Sequence, residues 1–98
     1  MKRLKINSSI YEIRYVDEVK IDGVNDLLQG ALNRWDKVIE IKRDLGEQAR
    51  KQTIAHEAVH GILDEASIAL SERTVERLAN MLYGFMIDNK EFIREIVK

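Results

Sequence analysis

The chain contains no cysteine and no proline, and it has only two histidines among its 98 residues. Without cysteine there is no disulfide and no thiolate metal site, a composition that fits a reducing compartment. Without proline no residue marks an element boundary sharply, so helix and strand limits rest on hydrophobic periodicity. An excess of either charge is also missing: 17 acids face 16 bases for a net −1. That balance gives no electrostatic case for a nucleic-acid partner. No apolar run approaches membrane-spanning length. Met1-Lys2-Arg3 is basic, but Lys5, Asn7, Ser8 and Glu12 follow where a signal peptide would place its apolar core. What remains, 45% hydrophobic and 34% charged, is the composition of one soluble globular domain. The expectation is a single cytoplasmic domain over residues 1–98, with no nucleic-acid or membrane partner. The oligomeric state is left open.

The first half alternates in polarity. Leu4–Ile6 and Ile10–Val16, joined by Asn7-Ser8-Ser9, predict a β-hairpin. The polar stretch 17–25, with Asp22-Gly23 inside it, predicts a loop or a short helical turn. Leu27–Asn33 and Val38–Lys42 are two further candidate strands around Arg34-Trp35-Asp36, although residues 27–32 also fit a helix.

The second half changes period. Asp44 and Glu47 suggest a capping box, weakened by Gly46. Ile54, Ala55, Ala58, Val59, Ile62 and Leu63 then recur at helical spacing, predicting a helix over about 46–65. Ser71 is a candidate cap for a second helix, with Val75, Leu78, Ala79, Leu82, Phe85 and Met86 on its buried face. Phe92, Ile93 and Ile96 predict a short third helix. The fold class is therefore α+β: a small antiparallel or mixed sheet, then three helices.

Both histidines fall in His56-Glu57-Ala58-Val59-His60. A four-residue step advances a helix by about 400°, so the two imidazoles leave one face a turn apart. That places both within reach of one Zn²⁺ at about 2.0–2.1 Å. Glu57 sits about 100° around the helix, at the edge of such a site, where it can hold water without being a ligand. The pattern reads as that of a zinc peptidase. The plainer alternative is an exposed helix on which these side chains do nothing.

A catalytic zinc site takes three protein ligands, and here the third must be a carboxylate. Asp64 repeats the spacing, but it lies about 12 Å of rise beyond His56, too far along one straight helix. Glu65 has the same difficulty. Glu76, on the second helix beside its apolar stripe, is the expected third ligand, with Glu72 the runner-up. Asn80, one turn after Glu76, is expected to accept the N–H of a metal-bound imidazole.

The order of a short sheet, a helix with His-Glu-x-x-His and a helix with Glu-x-x-x-Asn resembles the gluzincin metallopeptidases. In particular it is similar to their minimal members and to the ImmA/IrrE-like peptidases of phages and mobile elements. Residues 50–60 and Val75-Glu76-Arg77-Leu78-Ala79-Asn80 carry the likeness, which covers most of residues 10–87. The resemblance implies a zincin-like fold, one Zn²⁺ per chain on His56, His60 and Glu76, and Glu57 as catalytic base acting on a polypeptide substrate. It also suggests that Val38–Lys42 is a sheet edge where an extended substrate pairs, unless that segment is an ordinary core strand. Asn80 stands where many gluzincins have aspartate, and the metzincin extension is absent, with Leu63 and Ala66 in place of its glycine and histidine.

Tyr83, seven residues after Glu76, is a candidate oxyanion stabiliser and Trp35 a candidate to line the cleft, but packing is the better reading of both. Two other readings compete with the enzyme. One is a non-catalytic module of the same fold with a structural or absent metal. The other is half of a di-iron bundle, against which the β-rich first half argues.

Overall fold

Alternation in the first sixteen residues builds a tight hairpin. In the computed structural model, which describes residues 1–20 and 29–98, β1 (Arg3–Ile6) pairs antiparallel with β2 (Ser9–Val16). Asn7 at φ 55° makes the two-residue turn, a left-handed position that asparagine tolerates. β3 (Gly30–Asn33) turns back into β4 (Val38–Lys42), again antiparallel. Asn33 Oδ1 holds that turn by accepting from the N–H groups of Trp35 and Asp36. β4 then pairs parallel with β2, giving a mixed sheet in the order β1-β2-β4-β3. The expected loop around Asp22-Gly23 and the first two residues of the expected third strand lie outside the described residues.

The order corrects one expectation. Val38–Lys42 is not a sheet edge, because β4 is hydrogen-bonded on both sides, to β2 and β3. The edges are β1 and β3 among the described residues.

One face of this sheet carries the core. Ile6, Tyr11, Ile13, Ile39 and Ile41 converge there, joined by Ile54 from α1 (Glu47–Glu65). Close approach of α1 to the sheet depends on two glycines. A Cβ on Gly61 would lie 2.5 Å from Ile6 Cδ1, and one on Gly30 would lie 2.6 Å from Thr53 Cγ2. The N-cap of α1 is Gly46, without a side-chain cap bond. The expected capping box therefore does not form: Asp44 stands two residues before the cap, outside the position that bonds the first turn. Glu47 instead bonds Lys51, whose hydrogen bond and charge, helped by Arg50, hold its carboxyl below the ordinary value.

The end of α1 is a Schellman motif without glycine. Ser67 takes φ 58°, its N–H donates to Asp64 O, and Ile68 N–H donates to Leu63 O at 2.9 Å. The turn leads to α2 (Glu72–Asp88), whose N-cap Ser71 accepts from Thr74 N–H. α2 buries Val75 and Ala79 against Val59 and Leu63 of α1. The rest of its expected buried face departs from expectation: Leu78, Leu82, Phe85 and Met86 are exposed, as is Ile62 on α1. The sheet already occupies the other side of α1, so α2 touches it along one narrow seam. α3 (Lys90–Val97) packs against α2 and buries none of its residues.

Candidate metal centre

The middle of α1 faces β3 on one side and the start of α2 on the other. Helical spacing brings the His56 and His60 rings to 4.9 Å between centroids, inclined at 61°. Both Nε2 atoms point to Glu72. Its Oε1 lies 2.8 Å from His56 Nε2 and its Oε2 lies 3.0 Å from His60 Nε2. One carboxylate thus bridges the two imidazoles of the motif. Ser71 caps α2 from the preceding position, so Glu72 is the first helical residue, at the end of α2 nearest the motif.

This geometry differs from the expectation that Glu76 completes the set. Among the described residues, the group able to hold a metal is His56, His60 and Glu72. Glu76 lies one turn further along α2. It lines a neighbouring cavity of about 440 Å³ with His56, Glu57, Glu72 and Asn80. The physical reason is a choice of helical turn. Spacing alone puts Glu72 and Glu76 on nearly one face, and only the turn between α1 and α2 decides which comes level with the histidines. Asn80 is a turn further still, exposed at the far side of that cavity.

The donor set fits a divalent cation. The candidate ligand atoms all lie within 4.8 Å of one another. Tetrahedral nitrogen and oxygen ligands of zinc stand about 3.3 Å apart, so small side-chain rotations suffice. An ionised carboxylate can only accept, so across these contacts each Nε2 is the donor, and a bound cation would take the place of those protons.

A cleft of about 670 Å³ has β3 and its turn as one wall and His56, His60 and Glu72 on the other. Glu57 is 6% exposed and lines both this cleft and its neighbour. Asp64, on the same wall as His56 and His60, is taken up by Arg34 at 2.8 Å. With Lys37 3.8 Å from Glu65, this pair links the β3–β4 turn to the end of α1. Trp35 stands at the rim, 81% exposed, with the Arg34 guanidinium 4.8 Å from its ring centre. Tyr83 lines neither cavity.

A mixed sheet crossed by a helix that presents His-Glu-x-x-His beside a carboxylate from the next helix defines a metallopeptidase-like domain. The chain belongs to the Peptidase_M78 family, the IrrE N-terminal-like domain, whose family model matches residues 14–97. Comparison with curated proteins and with solved structures gives no match. No helix among the described residues is long and apolar enough to cross a membrane.

Proposed function

We propose that the protein is a zinc-dependent endopeptidase of gluzincin type, with His56, His60 and Glu72 as ligands and Glu57 as general base. The observation that carries this is the Glu72 carboxylate bridging both motif imidazoles, with the buried Glu57 in the same cleft. Family membership supports the peptidase class.

Bound zinc supplies a Lewis acid that polarises a carbonyl and makes water more acidic. The chain's own residues do the rest. Glu57 accepts the proton of the attacking water at a carboxylate oxygen, then delivers it to the amide nitrogen that leaves as an amine. His56 and His60 hold their positions through the α1 backbone, and the packing of Val59 and Leu63 on Val75 and Ala79 keeps Glu72 in reach. The edge strand β3 forms the wall facing the ligands, so an extended peptide adds to the sheet there. Glu76 and Asn80, on the neighbouring cavity, orient water and polar groups beside Glu57.

The test combines metal content with turnover. Untagged protein refilled with zinc is expected to carry about one ion per chain by plasma mass spectrometry and to cleave members of a peptide library. Glu57→Gln should keep the zinc and lose cleavage. Zinc without cleavage in both proteins would make the fold a non-catalytic module with a structural metal, and absence of zinc would remove the metal centre.

A further inference from the structure

The surface of α2 and α3 turned away from α1 is apolar where water should be. Leu78, Met81, Leu82 and Phe85 on α2, with Phe92 and Ile96 on α3, are between 38% and 73% exposed. The α2 members recur at three- and four-residue steps, so they form one stripe. Phe85 and Phe92 meet edge to face, with ring centres 5.8 Å apart, and join that stripe to α3. Each side chain leaves on the order of 100 Å² uncovered, so the six present about 600 Å², at the upper end of patches found on monomers. The neighbouring polar rim brings the face close to the roughly 800 Å² per partner that a stable pair buries.

α3 adds a second argument. It has eight residues and buries none of them, yet isolated helices shorter than about 12 residues are marginal in water. Its few contacts with α2 give it little support. The charges around the face give a third. Arg77, Asp88, Glu91 and Arg94 flank it with two bases and two acids, and none has an ion pair among the described residues. An anionic membrane would select a basic rim, and nucleic acid would too. A rim of mixed sign suits a partner with the same mixture.

We propose that a second copy of this chain covers the α2–α3 face in a two-fold symmetric dimer. Two-fold symmetry sets the same patch against itself, which places each apolar stripe on its equal and lets bases of one copy meet acids of the other. The arrangement leaves the cleft open, because none of the stripe residues lines either cavity at the metal group. It is independent of the peptidase reading.

Sedimentation equilibrium of the full chain over about 1–100 µM tests this, since that range spans a micromolar contact. The expected mass is twice the 11.4 kDa of one chain. Met81→Asp and Ile96→Asp alter the two most exposed members of the stripe, at 73% and 66%, so the fold should survive both. Each should weaken dimerisation at least about tenfold while circular dichroism stays unchanged. A monomer at every concentration would overturn the proposal, as would a dimer that resists both substitutions. A monomer that binds lipid vesicles instead would assign the face to a membrane surface.

Discussion

Glu72 and His56 stand sixteen positions apart, yet Glu72 Oε1 lies 2.8 Å from His56 Nε2, and its second oxygen reaches His60. That contact is the basis for proposing Glu72 as the third ligand. Glu72→Gln is expected to weaken zinc binding by more than about 100-fold, and Glu76→Gln by about tenfold, the usual scale for a group outside the coordination sphere. Competition with a chelator measures both. If Glu76→Gln proves the more damaging, the coordinating carboxylate is Glu76 and α2 moves by a turn on metal binding.

The position of Glu72 depends on its neighbour. Ser71 caps α2 by accepting the Thr74 N–H at 3.2 Å, and its own O–H donates to Thr74 Oγ1 at 2.9 Å. Ser71→Ala should cost about 1 kcal/mol, a fall in melting temperature of about 4–8 °C for a domain this size. Ser71→Gly should cost only a few tenths. Because fraying at the cap moves the carboxylate, the alanine variant should also bind zinc less tightly at a temperature where it is fully folded. Unchanged affinity would show that Glu72 is held by the metal and not by the cap.

β3 lies so close under α1 that Gly30 has no room for a methyl group. An added Cβ would stand 2.6 Å from Thr53 Cγ2 and 3.1 Å from the carbonyl oxygen of Glu40. Thr53 is stiff at χ1, and its hydroxyl is engaged by Ala49 O at 2.7 Å, so it cannot swing aside cheaply. Gly30→Ala is expected to destabilise the protein by about 1–3 kcal/mol in denaturant titration. Thr53→Ser removes the offending methyl and should recover part of that loss in the double variant. Additive effects would mean that the strain resides at Glu40 instead.

These contacts explain which features could be read from the chain alone. Period two in Ile10–Val16 and Val38–Lys42 and period 3.6 from Ile54 onward are local signals, and each became the expected element. The two histidines share a face for the same local reason. Strand order is not local: nothing in Val38–Lys42 distinguishes an edge strand from one flanked on both sides. The choice between Glu72 and Glu76 depends on the turn at Ser67, where serine takes the left-handed position that glycine usually marks. The close contacts of Gly30 and Gly61 were equally silent, since they are set by how near α1 comes to the sheet. The apolar stripe of α2 was legible as a stripe, but its pattern does not say whether a helix of the same chain covers it.

The strand β3 makes the last prediction specific. Lys42 N–H donates to Gln29 O at 2.8 Å, and β3 pairs with β4 in register Gly30↔Ile41 and Leu32↔Ile39. In an antiparallel ladder alternate residues turn their N–H and C=O groups to opposite sides. The backbone groups of Gly30 and Leu32 therefore face away from β4, along the wall of the cleft. A substrate strand that adds there should exchange hydrogen bonds with these two residues and present every second amide to them. A cleaved peptide should then be sensitive to N-methylation with a period of two. Methylation at facing positions is expected to lower kcat/KM by about tenfold, chiefly through KM, and at intervening positions far less. A uniform profile along the peptide would separate substrate binding from β3 and move it to the α2 side of the cleft.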